Sequence, residues 1–370
     1  MSQSRLFKPL KVGNVTLNNR IAMAPLTRFR ASDEHIPLPM VAEYYAQRAS
    51  VAGTLLVTEA TFITKENGGY PNVPGIYNDD QIKAWRTVTD AVHKKGSYIY
   101  LQLWALGRVA NPKVAEQEGF TVKSSSAVAL SADLATPVPL TIPEIEETTK
   151  SYAQAAKNAI AAGFDGVEIH GANGYLVDQF LQDKVNQRTD AYGGSIENRS
   201  RFALEVVEAV VEAVGAERTG IRFSPFSTFQ GMRMDDPIPQ FSDIISKINK
   251  FGLAYLHVVE SRISGNADVV ASDKLDFAVN LFDGPLLIAG GFRPDSAKKL
   301  VDEEYPNRDV LVVFGRYFIS TPDLVFRIQE GIALNEYDRQ QFYNPKSADG
   351  YTDYPFSQEF LASTGAKAKA

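Results

Sequence analysis

Polar side chains interrupt three apolar, strand-like segments, and they are the first candidates for chemistry. Gln102 lies in the segment YIYLQL, His170 in GVEIHGA and Arg222 in GIRFSP. Because side chains alternate between the two faces of a strand, each polar residue lies opposite its apolar neighbours. Burying such groups is costly unless they are paired or bind a polar ligand. A structural ion pair or core hydrogen bond would explain any one of them, whereas convergence of all three favours a ligand site.

These segments belong to eight β-rich runs that alternate with amphipathic, helix-like segments along the chain. Strand–helix alternation predicts parallel strands joined by helical crossovers. Eight repeats favour an α/β fold of the (β/α)8 TIM-barrel type over an open doubly wound sheet, which usually carries a G-x-G-x-x-G fingerprint that is missing here. The runs cover residues 20–26, 52–60, 98–103, 166–172, 220–225, 253–260, 285–291 and 310–316.

Two segments lie outside the predicted strand–helix repeats of the barrel. The chain is expected to form one domain over 1–370. Residues 6–20 predict a hairpin around Gly13 and Asn14 that closes the barrel floor. Residues 107–141 form a long insertion between the third strand and its helix, and long loops at that position usually shape an active site. The tail at 358–370 is predicted to be disordered.

Glycine-rich turns end the last two predicted strands. Gly290 and Gly291 follow the seventh strand, and Gly315 and Arg316 follow the eighth. In (β/α)8 barrels, chemistry takes place at the carboxyl ends of the strands, and the loops after strands 7 and 8 commonly bind phosphate through backbone N–H groups. The sequence therefore predicts an anion site beside the three polar side chains.

Other reaction classes find less support. Cysteine is absent, which excludes disulfides and Cys-ligated metals, and the four histidines show no metal-ligand spacing, so no metal site is predicted. The strand runs contain no lysine, which disfavours a Schiff-base enzyme. Glu59, Glu168 and Glu260 near strand ends could form the carboxylate pair of a glycosidase. Pairing with buried polar groups of the barrel is the favoured interpretation of these glutamates.

Charge and hydropathy argue against nucleic-acid and membrane partners. The chain has 38 Lys+Arg against 44 Asp+Glu, for a net charge of −6, and no basic stripe. No apolar run approaches the roughly 20 residues that a bilayer span requires. The amino terminus lacks the apolar stretch of a signal peptide. These features predict a soluble cytoplasmic protein. The sequence leaves its oligomeric state open between monomer and homodimer.

Two segments carry a family resemblance. HGANGYLVDQFL (170–181) and NQRTDAYGGSIENRSRF (186–202) closely resemble signature blocks of the Old Yellow Enzyme family of FMN-dependent ene-reductases. The resemblance extends from LFKPLKVGNVTLNNRIAMAPLTRFRA (6–31) to GRYFISTPDLV (315–325) and YTDYPF (351–356), and so covers nearly the whole chain. The pattern is most similar to fungal members, including the branch that handles ergot-alkaloid aldehydes.

The resemblance implies noncovalent FMN at the barrel mouth and NADPH or NADH as the reductant. Thr27 matches the hydroxyl that touches the flavin, Gln102 the amide at its pyrimidine edge, and Arg222 the guanidinium near N1. The full set of implied cofactor-binding residues is Ala24, Pro25, Leu26, Thr27, Ala60, Gln102, His170, Arg222, Gly290, Gly291, Gly315 and Arg316.

The resemblance also implies a substrate site. His170 and Asn173 match the donor pair that holds a carbonyl oxygen, and Tyr175 matches the proton donor. Phenolic ligands are expected to bind to the same donor pair. The residues that match the aromatic walls of the substrate site are Tyr70, Trp104, Phe229 and Tyr343.

The implied reaction is the ping-pong reduction of the C=C bond of α,β-unsaturated carbonyl compounds. NAD(P)H reduces the flavin, flavin N5 gives a hydride to Cβ, and Tyr175 gives a proton to Cα. Two alternatives remain at this stage. One is redox-neutral isomerisation of an unsaturated aldehyde in alkaloid biosynthesis, and the other is a non-catalytic flavin-binding protein.

Overall fold

Eight parallel strands close into a barrel, as the strand–helix alternation predicts. The structure is a computed structural model that describes residues 4–261, 263–264, 267–268 and 273–365. Each strand pairs with the next along the chain, and the eighth pairs with the first. The strands are β1 (Ile21–Met23), β2 (Leu55–Val57), β3 (Tyr98–Trp104), β4 (Gly166–His170), β5 (Thr219–Phe223), β6 (Tyr255–Val259), β7 (Leu286–Ala289) and β8 (Val310–Phe314).

Helices follow the strands, and some of them begin at a residue whose side chain caps the first turn. The Asn78 side chain accepts the Gln81 N–H at 2.9 Å, and the Ser195 hydroxyl accepts the Asn198 N–H at 3.2 Å. The main helices are α1 (Met40–Arg48), α2 (Asp79–His93), α3 (Ile142–Ala161), α4 (Ile196–Val214), α5 (Ile238–Asn249), α6 (Asp276–Leu281), α7 (Pro294–Lys299) and α8 (Leu324–Glu330).

Shorter elements fill the connections. A π-helical turn at Leu300–Glu304 continues α7, and short α-helices lie at Pro112–Glu118, Leu176–Leu181, Arg316–Ser320 and Gln358–Thr364. The 3-10 turns are Arg5–Phe7, Gly107–Val109, Ala216–Arg218, Phe229–Gly231 and Arg339–Gln341. The remaining strands are Leu10–Val12, Val15–Leu17, Thr61–Phe62, Lys123–Ser124, Val138–Pro139, Ile263–Ser264 and Ala267–Asp268.

Alternation along the strands separates the barrel interior from the helix ring. In β3, Ile99, Leu101 and Leu103 are fully buried in the large cluster that includes the helix faces, whereas Tyr100 belongs to a separate cluster inside the barrel. The strands β4 and β5 divide in the same way. The polar residues between these apolar positions therefore face the interior, as their spacing predicts.

The predicted hairpin closes the floor of the barrel. Leu10–Val12 pairs antiparallel with Val15–Leu17, and its apolar residues join the interior cluster. At its turn, the Asn14 N–H donates to the Glu217 carbonyl at 3.2 Å, and the Tyr100 hydroxyl donates to the Asn14 side chain at 3.2 Å. The interior is therefore sealed at this end, and a ligand can enter only at the carboxyl ends of the strands.

The structure corrects two expectations, one about the insertion and one about the tail. Residues 107–141 do separate β3 from α3, yet none of them lines the cavity at the barrel mouth. The predicted disorder of the tail is wrong for Gln358–Thr364, which is helical. The Ser357 hydroxyl caps this helix, and Phe360 packs against Phe326 and Phe356 at centroid distances of 5.3 Å. The remainder of the tail, 366–370, lies outside the described residues.

Candidate active site

A cavity of about 530 Å³ opens at the carboxyl ends of the barrel strands. This volume is in the range of small-molecule sites. Every residue predicted to bind the cofactor or to act in catalysis lines the cavity, as do Trp104, Phe229 and Tyr343 among the predicted walls. Tyr70 does not line it. The Tyr70 ring instead packs edge-on against Trp104, with the two ring centroids 5.9 Å apart.

A layer of paired polar groups lies just below the cavity. The fully buried Glu168 carboxylate accepts the Gln102 amide N–H at 2.7 Å and faces His257 Nδ1 at 2.8 Å. Burial alone would raise the pKa of Glu168, but His257, Arg222 and Gln102 together hold it below its ordinary value. Burial and the nearby Arg222 cation lower the pKa of His257, which keeps that imidazole neutral. The layer is thus an Arg222 cation balanced by a Glu168 anion.

Arg222 and Gln102 present donors from this layer to the cavity. Arg222 is opposite His257 in the β5–β6 register and opposite His170 in the β4–β5 register. Its Nε atom is buried and has no hydrogen-bond partner among the residues described. An orphaned guanidinium N–H is costly, so this atom indicates a polar ligand.

The glutamates near the strand ends do not form a carboxylate pair in the cavity. Glu168 is occupied by Gln102 and His257, and none of Glu59, Glu168 and Glu260 lines the cavity. Glu59 instead accepts the Arg28 backbone N–H at 3.3 Å, and burial raises its pKa to about 7. The glycosidase alternative therefore lacks its acid–base pair.

The loop after β4 places His170, Asn173 and Tyr175 through a tightly folded backbone. A side chain at Gly171 would lie 2.9 Å from the Arg222 carbonyl oxygen, so only glycine permits this approach. Asn173 adopts a left-handed φ of 57°, which asparagine tolerates better than most residues, and its N–H donates to the Ser224 hydroxyl at 2.8 Å. The glycine and asparagine of the HGANGY motif therefore suit the backbone conformation of this loop.

His170 is a neutral donor. Its Nδ1 accepts the Ala172 N–H at 3.3 Å, so the ring proton resides on Nε2. Burial, reinforced by the Arg222 cation and by His257, lowers the pKa of His170 well below its ordinary value. The imidazole therefore presents an uncharged N–H donor at neutral pH.

Tyr175 sits in an aromatic corner beside that donor. Its ring centroid is 4.9 Å from that of His170 and 4.7 Å from that of Trp104. Trp104 also stacks on Phe62 at 5.3 Å, which fixes the corner against the barrel wall. Burial raises the pKa of the Tyr175 hydroxyl above its ordinary value. Tyr175 consequently retains its proton at neutral pH.

The opposite side of the cavity is rich in glycine and arginine. Gly290, Gly291 and Gly315 line it together with Arg316, whose guanidinium lies 5.4 Å from the Tyr337 ring centroid. Gly291 has a φ of 68°, which favours glycine. These turns meet the requirement for a backbone-lined anion site with a neighbouring cation.

Sequence reasoning missed several lining residues on that side. Arg293 lines the cavity and lies 4.7 Å above the Tyr317 ring, and Tyr337 and Phe292 also contribute to the lining. Arg293 stands two positions after Gly291, so the glycine turn could have pointed to it. Tyr337 belongs to the turn-rich segment after α8, where no periodic pattern indicates which side chains face inward.

Two buried arginines next to Thr27 anchor the carboxyl-terminal segment. Arg28 donates to the Tyr44 hydroxyl and to the Gly350 carbonyl, both at 2.8 Å. Arg30 donates to the Asp349 carbonyl at 2.9 Å, and Tyr351 stacks on Tyr44 with centroids 3.9 Å apart. The TRFRA segment thus fixes Thr27 at the cavity and ties residues 341–351 to the barrel.

The anchored segment brings Tyr343 to the mouth of the cavity. Tyr343 is 45% exposed and packs against Phe29 with centroids 5.7 Å apart, and Phe229 is 38% exposed. Large aromatic side chains with this exposure at a cavity mouth form a partly open wall. A ligand that enters there can stack on them.

The RTDAYGGSIENR motif has a structural role. The Arg188 guanidinium pairs with Asp190 at 2.6 Å, the Tyr192 hydroxyl donates to Glu205 at 2.9 Å, and the Asn198 amide donates to the Gly193 carbonyl at 3.0 Å. None of these residues lines the cavity. The motif holds the connection between the loop after β4 and α4.

Over residues 4–261 and 273–365, no group of three or more His, Asp or Glu side chains is arranged to hold a metal ion. Within the same part of the chain, no helix is long and apolar enough to cross a membrane.

Comparison with known proteins identifies the family of this chain. The model of the NADH:flavin oxidoreductase / NADH oxidase family matches residues 5–335. The chain is 62% identical over 360 residues to the chanoclavine-I aldehyde reductase fgaOx3 of Penicillium roqueforti, covering 96% of this chain and 98% of that protein. It is 52% identical over 370 residues to the probable inactive dehydrogenase easA of Claviceps purpurea, covering 98% of this chain and 97% of that protein.

A solved structure has the same fold as this chain. The crystal structure of Old Yellow Enzyme from a Pichia species superposes with a TM-score of 0.90 at 41% identity, over 96% of this chain and 94% of that one. The barrel of this chain therefore has the Old Yellow Enzyme fold. This chain belongs to the NADH:flavin oxidoreductase / NADH oxidase family and is an oxidoreductase of the Old Yellow Enzyme type, which uses FMN and a nicotinamide reductant.

Proposed function

We propose that this protein is an ene-reductase that uses NADPH or NADH to reduce the C=C bond of α,β-unsaturated carbonyl compounds. One observation carries the proposal: a single cavity brings two uncharged donors, His170 and Asn173, beside a protonated phenol, Tyr175. Such a set can hold a carbonyl oxygen and supply a proton to the same molecule.

The residues of the cavity fit FMN held without a covalent bond. Arg222, with its orphaned Nε, and Gln102 offer donors to the polar edge of a ring system. The turns at Gly290, Gly291 and Gly315, together with Arg316, suit a terminal phosphate. When bound and reduced, FMN supplies the hydride that the reaction requires at Cβ.

His170 and Asn173 polarise the substrate. Their side-chain N–H groups donate to the carbonyl oxygen, where negative charge increases as the β-carbon accepts a hydride. Because His170 is neutral, it offers a hydrogen bond without a charge that would have to be desolvated. The donors are fixed before the substrate arrives, since the β4 loop is held by Gly171 and by the bond from Asn173 to Ser224.

Tyr175 supplies the proton to Cα. Its hydroxyl is protonated at neutral pH, and its ring is fixed by Trp104 and His170. A general acid requires this combination of protonation state and position. One relative, fgaOx3, is named an aldehyde reductase, whereas easA is named a probable inactive dehydrogenase. We therefore propose an unsaturated aldehyde or ketone as the substrate.

The test is the Tyr175→Phe variant, which preserves the aromatic wall and removes the proton. We expect cyclohexenone turnover to fall on the order of 10²-fold or more, whereas the rate of flavin reduction by the nicotinamide changes little. Unchanged enone turnover would show that solvent or another residue supplies the proton. In the parent enzyme, one nicotinamide oxidised per enone consumed supports net reduction, whereas product formation without nicotinamide oxidation supports a redox-neutral isomerase.

A further inference from the structure

Gly174 separates the two functional residues proposed in the loop after β4. Asn173 and Tyr175 both line the cavity, and Gly174 between them adopts a left-handed φ of 79°. A side chain at Gly174 would lie 2.9 Å from Gln230 Cβ, so the packing of this loop requires glycine. Because glycine has the freest backbone of all residues, other groups must hold this position if Asn173 and Tyr175 are to keep a fixed relative orientation.

Two side chains that follow Tyr175 in the chain bind the backbone of Gly174 from both ends. Asp178 Oδ2 accepts the Gly174 N–H at 2.8 Å, and Gln179 Nε2 donates to the Gly174 carbonyl at 2.7 Å. Both side chains are fully buried. The N–H belongs to the planar peptide group that Gly174 shares with Asn173, and the carbonyl belongs to the one it shares with Tyr175. The two hydrogen bonds therefore fix both peptide groups between the functional residues.

The orientation of the Gln179 amide is set by its other partners. Its Oε1 accepts the Arg108 backbone N–H at 3.0 Å and the Ser124 hydroxyl at 2.7 Å, and its Nε2 also donates to the Leu106 carbonyl at 3.0 Å. With the bond to Gly174, the amide makes all four of its hydrogen bonds within the protein. Arg108 and Ser124 belong to the insertion after β3. The insertion therefore supports the loop after β4, although it does not line the cavity.

We propose that Asp178 and Gln179 are positioning residues for the reduction. The inference rests on the proposed roles of Asn173 and Tyr175. By holding both peptide groups of Gly174, the two side chains fix the distance between the group that binds the carbonyl oxygen and the group that protonates Cα. Neither Asp178 nor Gln179 lines the cavity, so their effect reaches the substrate through the loop backbone. A misplacement of about 1 Å in such an arrangement can lower the rate about 10²-fold.

The first test compares two buried glutamines. Gln179→Met removes the amide that binds Gly174. Gln240→Met makes the same change between α4 and α5, where Gln240 Nε2 donates to the Ile196 carbonyl at 3.1 Å and to the Ser200 hydroxyl at 2.7 Å. Enone reduction by the reduced, FMN-loaded enzyme is followed by stopped-flow with cyclohexenone, under conditions where circular dichroism shows each variant to be folded. We expect Gln179→Met to slow this step about 10- to 100-fold and Gln240→Met to slow it less than about twofold.

The second test uses the acceptor at Asp178. Asp178→Leu removes the oxygen that accepts the Gly174 N–H, whereas Asp178→Asn keeps such an oxygen and removes the ionisable group. Burial raises the pKa of Asp178 to about 7, so a neutral side chain is tolerated at this position. We expect Asp178→Leu to slow the same step about 10- to 100-fold and Asp178→Asn to retain most of the parental rate. Each pair of variants is sufficient, so a variant that fails to fold in one pair leaves the other pair to decide.

Two results would overturn the inference and leave the role of Tyr175 intact. One is an equal effect of Gln179→Met and Gln240→Met on the enone-reduction step, and the other is an equal rate for Asp178→Leu and Asp178→Asn. The Tyr175→Phe variant distinguishes this failure from failure of the proposed function. If Tyr175→Phe alone reduces cyclohexenone at the parental rate, the proposed proton donor is wrong, and the inference about Asp178 and Gln179 fails with it.

Discussion

The Glu168→Gln variant tests whether the polar layer below the cavity depends on the charge of Glu168. In the parent protein the fully buried Glu168 anion lowers the cost of the nearby, half-buried Arg222 cation and accepts a hydrogen bond from Gln102 at 2.7 Å. Removing one partner of a buried pair costs about 3–5 kcal/mol, because the other charge remains without compensation. With an unfolding entropy of about 2.1 cal/mol/K per residue over 370 residues, this cost lowers Tm by about 4–6 °C.

The assay is thermal unfolding followed by circular dichroism at pH 7 with FMN in excess. Glu59→Gln is the matched control, since Glu59 is also fully buried but has a pKa of about 7. Its raised pKa means that the ionised carboxylate is disfavoured in the folded state, so a neutral amide at this position is expected not to lower Tm at that pH. If Glu168→Gln and Glu59→Gln shift Tm equally, the layer is not held by its charge, and our assignment of Glu168 as the counter-ion is wrong.

Three further predictions follow from the site. The pKa of Glu59 is higher in the folded state than in the unfolded state, so the folded state binds more protons than the unfolded state between about pH 4.5 and 7. The free energy of unfolding of the parent protein therefore falls by up to about 3 kcal/mol as the pH rises through that window. Urea unfolding at pH 5 and pH 8 should show this loss in the parent protein and not in Glu59→Gln. Arg316→Ala should be purified with much less flavin but with an unchanged circular dichroism spectrum, and full flavin occupancy at low FMN concentration would contradict the anion site. Phenols should produce a long-wavelength charge-transfer band with the oxidised enzyme, and His170→Ala combined with Asn173→Ala should abolish that band. If the double variant binds phenols as tightly as the parent protein, these two residues are not the donors that hold the ligand oxygen.

Local patterns in the sequence were sufficient for the architecture and for three polar residues that face the cavity. Alternation of apolar and polar residues in β3, β4 and β5 requires one face to pack against helices, so Gln102, His170 and Arg222 had to face the interior. Glycines at Gly171 and Gly291 mark backbone positions that other residues reach only with strain or collision. These constraints act within a few residues, which is why a single sequence displays them.

Contacts between residues distant in the chain were decided only by the tertiary structure. The pairing of Glu168 with His257 joins positions 89 residues apart, and the bond from Arg108 to the Gln230 carbonyl joins positions 122 apart. Neither residue pair has a local pattern that selects its partner. The helix Gln358–Thr364 formed against expectation for the same reason, since burial of Phe360 against distant aromatic rings stabilises a segment too short to be helical alone.

The sequence by itself therefore determined the closed barrel, its sealed floor and the chemical types of the groups at its mouth. Periodicity and glycine turns encode these features locally. The tertiary structure decided which charges stabilise each other, which tautomer His170 adopts and which rings pack against Tyr175. Burial and charge partners set protonation states, and both depend on residues that meet only when the barrel closes.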